Sequence, residues 1–389
     1  MPREYNPFMV SSARGPNPGT SPGRAPRPRE TRTFVDRITD GLKAEQLWSQ
    51  FKADATSSYS LYRREIVTVD DQQPRHGHWE VVKEFFWAVL RKLTPVRRIM
   101  LLAGLIFTFL PIMQWRISGE TYSVSMNVVG GLFLLALLIL EIGDRVTMKR
   151  DLEIAREIQM WLIPDAPPKV EGLDIAFVNR PANTVAGDYY DVLLREGGTH
   201  AVMVVADVAG KSIPAGLLMA TFQASLKTLL HHVSSLVELV RGVNEYCSAH
   251  SNGGRRFTTA VVAEYESASR TLTYVNAGHN IPMLLRADNR LERLDRGGLP
   301  FGIDATASYD VASVQLASGD VLLIYTDGLV EAVNERGDEY GDDRLLAILP
   351  TLRQYRAQEG VVALMNELNR FTGMAHQHDD ITCLVVKVA

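Results

Sequence analysis

Two uncharged apolar runs, lying close together in the first half of the chain, constrain its fold more than any other feature. Ile99–Trp115 has 17 residues and Thr121–Leu140 has 20. As helices rising about 1.5 Å per residue, they would be roughly 25 and 30 Å long, against about 30 Å for the hydrocarbon core of a bilayer. The first run alone, short and carrying Pro111, would also suit a buried core helix. As a pair across a short connection, the runs predict a transmembrane hairpin over residues 99–142.

The cations that flank the two runs predict the orientation of this hairpin. The connection between the runs carries only Arg116, whereas basic residues crowd both outer ends: Arg91, Lys92, Arg97, Arg98, Arg145, Lys149 and Arg150. Because cytoplasmic flanks are rich in Lys and Arg, we expect both termini in the cytoplasm, at the membrane. The first apolar run begins too far along the chain for a cleavable secretory signal peptide.

Composition excludes two broad classes of protein. Lys plus Arg is 41 against 45 for Asp plus Glu, a net charge of −4, which excludes a generally basic nucleic-acid binder. The two cysteines, Cys247 and Cys383, exclude a disulfide framework or a cysteine zinc cluster and suit a reducing compartment.

The remaining N-terminal segments carry weaker patterns. Residues 1–30 contain seven Pro, three Gly and five Arg, which predicts a disordered tail. We expect 31–95 to be a helical cytoplasmic region whose last part, 79–93, is amphipathic and lies either in the membrane interface or against its own domain.

After the hairpin, the pattern over 141–164 predicts a linker helix. Its apolar positions are spaced by three and four residues: Met148, Leu152, Ala155, Ile158 and Leu162. This seam is typical of a short coiled coil and favours a homodimer, although packing onto the following domain explains it equally well.

Residues 165–389 predict one soluble α+β domain. Strands neighbour strands and helices fall in separate groups, which favours layers over a repeating βαβ fold. The predicted strands are Leu173–Asn179, Ala201–Ala206, Thr258–Tyr265, Thr271–Asn276, Val311–Leu316, Val321–Tyr325 and Ile381–Val388. The predicted helices are Ser212–His232, Leu236–His250, Asp343–Leu349 and Val361–Phe371.

Four aspartates stand where these strands begin or end: Asp188, Asp207, Asp327 and Asp379. Strands of one sheet can bring such side chains to one point. Two carboxylates about 4 Å apart repel by about 4 kcal/mol at an effective dielectric near 20, so three or four together require a cation. Oxygen-only ligands select hard ions such as Mg²⁺ or Mn²⁺. The chemistry indicated is metal-assisted hydrolysis of a phosphate ester.

Six motifs resemble, in content and order, those of the SpoIIE/RsbU-type phosphatases, the bacterial branch of the PPM metal-dependent protein serine/threonine phosphatases. They are VAGDYYD, VADVAGKSIPAGLLMA, NAGHNIPMLL, GLPFGI, YTDGLVEAVN and HDDITCLVV. The stretch EIQMWLIPDAPP resembles the helix and linker that precede this domain in the family, so the resemblance covers about residues 150–389.

The resemblance implies a four-layer αββα sandwich with two divalent ions, Mn²⁺ or Mg²⁺, between its sheets. It assigns Asp188 to both ions, Asp207 and the Val208 carbonyl to one, and Asp327 and Asp379 to the other. Water rather than a side chain would attack phosphorus, without a phosphoenzyme. Asp191 and Asp380 would adjoin the site, and Gly187 would allow a close backbone approach. The implied protein is a membrane-anchored phosphatase acting on a phosphoprotein, a STAS-type anti-sigma-factor antagonist.

The chain departs from the family pattern at two places. Ala186–Gly187 replaces a pair of glycines, and Gly210–Lys211–Ser212 replaces Gly-Lys-Gly. Neither departure removes a ligand, but the second alters a loop near the substrate. We expect Ser212 to cap the helix that begins near Pro214.

Four other interpretations stay open. The GKS at 210–212 resembles a phosphate-binding loop, but Val205 stands where that loop needs Gly. His376 and His378 beside Asp379 resemble part of a His/Asp metal site, and His279 is either a ligand or a loop histidine with satisfied hydrogen bonds. The domain as a whole could also be a catalytically silent, membrane-held module that binds a phosphoprotein.

Overall fold

The computed structural model describes residues 90–110, 112–117 and 120–389, together with Lys83, Phe86 and Trp87. The predicted tail over 1–30 and nearly all of the predicted 31–95 region lie outside the described residues. The chain divides into two compact units, Met1–Leu134 and Leu135–Ala389.

The described part of the first unit is a pair of helices connected through two antiparallel strands. Helix α1 (Pro95–Phe109) is followed by the antiparallel strands β1 (Met113–Ile117) and β2 (Glu120–Val124), and helix α2 (Met126–Leu162) begins directly afterwards. The helices are therefore shorter at this end than the apolar runs predict, since Trp115 and Thr121 lie in strands. The physical reason for the early end of α1 is Leu110, which is extended because it precedes a proline.

Small residues let α1 and the start of α2 approach closely. A Cβ atom on Gly130 would lie 2.7 Å from the Gly104 carbonyl oxygen, and one on Gly104 would lie 2.9 Å from Leu134. The rings of Phe107 and Phe133 lie 6.0 Å apart beside this contact. Close packing through glycines is typical of helices that pair in a membrane.

The second unit contains two antiparallel-rich sheets. Its strands are β3 (Leu173–Arg180), β4 (Tyr189–Arg195), β5 (His200–Val208), β6 (Thr258–Glu266), β7 (Thr271–Ala277), β8 (Met283–Leu285), β9 (Leu291–Arg293), β10 (Gly297–Gly298), β11 (Ala312–Gln315), β12 (Val321–Tyr325) and β13 (Ile381–Val388). Sheet I has the order β10-β7-β6-β5-β4, with β11 also on β7, and sheet II has the order β3-β13-β12-β8-β9. The helices are α3 (Ser212–Leu230), α4 (Leu236–Ala249), α5 (Asp327–Val330), α6 (Gly341–Leu352) and α7 (Ala357–Thr372).

Three apolar layers hold this unit together as an αββα sandwich. The central layer joins the two sheets and includes Val205, Val261, Ile324 and Leu384. An outer layer packs α3 and α4 on sheet I through Met219, Phe222 and Leu239. The other packs α6 and α7 on sheet II through Leu345 and Leu364. Strand β12 is buried along its whole length, as expected for a strand covered on both faces.

The sequence missed the strands that lack a long apolar run. All seven predicted strands are present, but β4, which follows Asp188 directly, was not predicted. Strands β8, β9 and β10 have only two or three residues each and pair at sheet edges or beside them.

Two described helices are long and apolar enough to cross a membrane, α2 and α3. Helix α3 buries Met219, Phe222 and Leu226 within the domain, so it is a core helix. The apolar first part of α2 instead exposes large side chains: Val128, Leu132, Leu135, Leu138 and Ile139.

Candidate metal centre

Asp188 is placed by the segment that enters β4, and two hydroxyls fix its carboxylate. Thr326 Oγ1, at the end of β12, donates to Asp188 Oδ2 at 3.0 Å, and Thr382 Oγ1 on β13 donates to the same oxygen at 2.5 Å. Asp188 is only 3% exposed. Burial first, and then the charge of Asp207, raises the pKa of this carboxyl well above its usual value.

Asp207 and Val208 end strand β5 beside the same segment. A Cβ atom on Gly187 would lie 3.3 Å from the Val208 carbonyl oxygen and 3.7 Å from Asp207 Oδ1, so this is a close backbone approach, as the sequence predicts. Burial, followed by the negative charges of Asp327 and Asp379, raises the pKa of Asp207 to about 7.

Asp327 and Asp379 come from sheet II. Asp327 begins the short helix α5 after β12, and Asp379 lies in the loop two residues before β13. Burial and the charge of Asp379 raise the pKa of Asp327. Lys211, from the loop before α3, donates to Asp379 Oδ2 at 2.8 Å and to the His378 carbonyl at 2.9 Å. Sheet I and sheet II thus contribute two of the predicted aspartates each.

Asp380 connects the end of the loop before β13 to the segment that enters β4. Its carboxylate accepts from the Gly187 amide at 2.6 Å and from the Ala182 amide at 2.7 Å. A Cβ atom on Gly328 would overlap the backbone carbonyl oxygen of Asp380. Asp380 therefore holds the backbone next to Asp188, as the resemblance implies for a residue adjoining the site.

The donor set fits a hard divalent cation. The aspartates raise one another's pKa values because their negative charges oppose each other, and a cation bound by oxygens relieves that repulsion. Within the described residues, no three His, Cys, Asp or Glu side chains already surround a common point closely enough to enclose an ion. Lys211 instead supplies positive charge at Asp379.

Several residues near these motifs have roles other than the predicted ones. Asp191 does not adjoin the site: its Oδ2 accepts from Tyr189 and forms an ion pair with Lys227 of α3 at 2.9 Å. Ser212 does not cap α3; it is the first residue of that helix and has a φ of 64°. Its left-handed backbone is the conformation that a glycine adopts without strain.

The structure also shows the surroundings of the three histidines that the sequence singled out. His279 is buried in its loop, where its amide donates to Asn276 and its Nδ1 lies 2.9 Å from Thr259 Oγ1, but its Nε2 has no hydrogen-bond partner among the described residues. His376 and His378 face each other edge to face, with ring centroids 5.6 Å apart.

The end of helix α2 contacts the backbone next to the site. Gln159 donates to the Ala186 carbonyl at 2.7 Å and accepts from the Ala186 amide at 2.9 Å. Ala186 lies two residues before Asp188. Sequence reasoning missed Gln159, Thr326, Thr382 and Lys211 as supporting residues, although all four stand inside motifs that it had singled out.

Comparisons with known proteins agree with this fold. Residues 197–389 match the profile of the family "Stage II sporulation protein E (SpoIIE)". The chain is 29% identical over 250 residues to phosphoserine phosphatase RsbU of Bacillus subtilis, covering 63% of this chain and 72% of RsbU. It is 26% identical over 273 residues to protein IcfG of Synechocystis sp., covering 63% of this chain but only 42% of IcfG.

A solved structure shows the same architecture. The SiaA-PP2C domain of Pseudomonas aeruginosa superposes with a TM-score of 0.57 at 20% identity, over 63% of this chain and 99% of that domain. The fold is that of a PP2C-type domain. The profile match and the similarity to phosphoserine phosphatase RsbU support the SpoIIE/RsbU branch of the PPM family of protein serine/threonine phosphatases.

Proposed function

We propose that the chain is a membrane-anchored, metal-dependent protein serine/threonine phosphatase with a cytoplasmic catalytic domain. The observation that carries the proposal is the meeting of Asp188 and Asp207 from sheet I with Asp327 and Asp379 from sheet II, inside a domain of this family. Two divalent ions, Mn²⁺ or Mg²⁺, held by these side chains and the Val208 carbonyl would polarise the phosphoryl group and lower the pKa of the attacking water.

The protein's own residues prepare this site in three ways. Thr326 and Thr382 hold one oxygen of Asp188 and so set the direction of its carboxylate. Asp380 fixes the amide of Gly187, which keeps the entry to β4 against the end of β5. Lys211, whose side chain is 58% exposed, provides a positive charge beside Asp379, at the edge where a phosphate dianion would arrive.

We propose that the substrate is the phosphoserine or phosphothreonine of a STAS-type anti-sigma-factor antagonist, so that dephosphorylation switches binding partners. The resemblance of the six motifs supports this class, as does the relative named phosphoserine phosphatase RsbU. The direct assay is phosphate release from such a phosphorylated domain. If the protein hydrolyses p-nitrophenyl phosphate but not this domain, the proposed protein substrate is wrong. If it hydrolyses neither, the proposed enzyme activity has failed.

The membrane anchor is proposed from the α1–α2 hairpin. Its exposed apolar side chains, its glycine contacts and the basic residues outside both apolar runs all suit insertion in lipid with both termini in the cytoplasm. The apolar seam of α2 suits a homodimer, because Met148 and Ile158 are exposed. Disulfide crosslinking of Leu152→Cys in membranes would show the dimer, and a strictly monomeric chain would exclude it.

The full chain should hydrolyse p-nitrophenyl phosphate with Mn²⁺ or Mg²⁺, and chelation should abolish the reaction. Asp327→Asn or Asp207→Asn should lower turnover at least about a hundredfold, since each removes a charged ligand that stabilises the transition state. Asp165→Asn, an exposed position outside the site, is the matched control.

The same assay decides between an enzyme and a silent phosphoprotein-binding module. Near-normal turnover of Asp327→Asn would show that the metal site is misassigned. A folded protein without turnover, but with Mn²⁺ binding that Asp327→Asn removes, would indicate an enzyme in an inactive state. A folded protein with neither turnover nor metal binding would indicate the silent module.

A further inference from the structure

The loop over residues 278–282 carries the chain from β7 of sheet I to β8 of sheet II. It buries the imidazole of His279, which is 6% exposed. Burying a polar ring costs free energy unless the ring is hydrogen-bonded, so a histidine kept at such a place normally has a defined partner. The contacts of its backbone and of its ring show what that partner is and what it supports.

The backbone of His279 is fixed independently of its ring. Asn276, near the end of β7, donates from Nδ2 to the His279 carbonyl at 3.0 Å and accepts from the His279 amide at 2.7 Å. Gly278 has a φ of 66°, and a Cβ atom there would lie 2.5 Å from Pro300. The loop therefore sets the direction of the His279 side chain.

The ring contacts Thr259 of β6, which lies opposite Asp207 in the pairing of β5 with β6. His279 Nδ1 is 2.9 Å from Thr259 Oγ1, and this hydroxyl donates to the Asp207 carbonyl at 3.4 Å. Because a carbonyl only accepts, the hydroxyl proton points to Asp207, and Nδ1 carries the proton of the neutral ring. Burial lowers the pKa of His279 to about 4, which keeps the ring neutral near pH 7.

The hydrogen bond from Thr259 ends on a peptide that lies between two groups of the proposed metal centre. The Asp207 carbonyl belongs to the peptide that joins Asp207 to Val208. The carboxylate of the first residue and the carbonyl of the second are the two ligands assigned to the same ion. A rotation of this peptide would move both ligands, so a contact that fixes it acts on the affinity for that ion.

We propose that His279 is a positioning residue of the metal centre. Through the Thr259 hydroxyl, it holds the peptide between Asp207 and Val208 in the orientation that presents both ligands to one ion. The inference rests on the metal centre of the proposed function, and it gives His279 a role in metal affinity rather than in the chemistry at phosphorus.

Calorimetric Mn²⁺ titration of the full chain in detergent tests this role without depending on turnover. His279→Leu and Thr259→Val each break the chain of hydrogen bonds and should weaken Mn²⁺ binding at least about tenfold. The double variant should bind about as weakly as either single variant, because both substitutions remove the same support. His279→Asn, whose side-chain amide can donate from near the position of Nδ1, should keep most of the affinity.

Asp320→Asn controls for a general loss of stability. Asp320 is 1% exposed and directly precedes β12, at the opposite end of that strand from Asp327. This variant should unfold at a lower temperature and bind Mn²⁺ as the wild type does. Should His279→Leu fail to fold, Thr259→Val still decides, since valine has nearly the shape of threonine.

The outcomes separate this inference from the proposed function. Wild-type Mn²⁺ affinity in Thr259→Val, or an equal loss in His279→Asn and His279→Leu, would overturn the positioning role alone. The expected affinities without any hydrolysis of p-nitrophenyl phosphate would support the positioning role and count against the phosphatase. A wild-type protein that binds no Mn²⁺ would overturn both.

Discussion

At the scale of single residues, the site depends on hydroxyl groups as much as on carboxylates. Thr382 accepts from Asn179 at 2.7 Å and donates to Asp188, so it links β3, β13 and the entry to β4. A hydrogen bond to a charged group contributes about 1.5–3 kcal/mol. Losing either hydroxyl should therefore make the present orientation of the Asp188 carboxylate less stable by about that amount.

Thr382→Val should weaken Mn²⁺ binding by about tenfold or more while leaving the fold intact. The reason is that residues holding a ligand in place usually matter by that factor for metal affinity. Calorimetric Mn²⁺ titration measures the effect, and Thr306→Val, at an exposed position, is the control. Unchanged affinity in Thr382→Val would mean that Asp188 does not need this hydroxyl.

His279 predicts a pH dependence of stability. Burial lowers the pKa of His279 to about 4 in the fold, against about 6.5 in an unfolded chain. Between these values the unfolded chain binds a proton that the folded chain does not, so stability is full above about pH 6.5 and falls as the pH drops towards 4. The total effect is on the order of 3 kcal/mol.

Urea unfolding at pH 7.5 and pH 4.5 measures this dependence. The difference in unfolding free energy should be smaller in His279→Asn, which cannot take up a proton but whose side-chain amide stands near the position of Nδ1, the atom that contacts Thr259. Because the carboxylates titrate equally in both proteins, an identical pH dependence would show that His279 does not contribute.

Residue types and spacings were enough to place the four aspartates at strand ends, but not to find their supports. Asp327 follows a continuously apolar strand, and such a strand can be identified from its own sequence without knowing which strands lie beside it. Lys211 and Gln159 make contacts across 168 and 27 residues of sequence, so their partners depend on the assembled sandwich. The left-handed backbone of Ser212 was not predicted either, because a serine before a helix normally indicates an N-cap.

At the scale of elements, helix α2 is joined to the catalytic edge by one side chain. Gln159 is 8% exposed and occupies both backbone groups of Ala186. Helix α2 also approaches α3, where Gln223 donates to the Leu162 carbonyl at 3.2 Å. A displacement of the last turns of α2 would thus reach the backbone two residues before Asp188.

Gln159→Ala should lower both stability and turnover. It leaves two buried backbone groups of Ala186 without partners, at about 1–3 kcal/mol for each group. Thermal unfolding and p-nitrophenyl phosphate hydrolysis measure the two effects. Glu157→Ala, exposed on the same helix, controls for helix propensity. If the two variants had the same stability and turnover, the Gln159 contact would not couple helix α2 to the catalytic site.

At the scale of the whole molecule, the proposed topology can be tested with added cysteines. Both native cysteines are at least partly buried, and burial raises the pKa of each thiol to about 12, so they should react slowly. In intact cells, a membrane-impermeant maleimide should label Glu120→Cys, between the two apolar runs. Glu171→Cys should be labelled only after lysis. The opposite labelling pattern would show that the topology is inverted. Labelling of both cysteine variants in intact cells would exclude a cytoplasmic domain.

The arrangement of sheet II also bears on how the protein is made. Strand β13 is the last element of the domain along the chain, yet it lies between β3 and β12 and brings Asp379, Asp380 and Thr382 with it. A nascent chain still attached to the ribosome has none of these groups in place until β13 has emerged. Hydrolytic activity should therefore begin only after translation of the domain is complete, and a product cut short before β13 should have none.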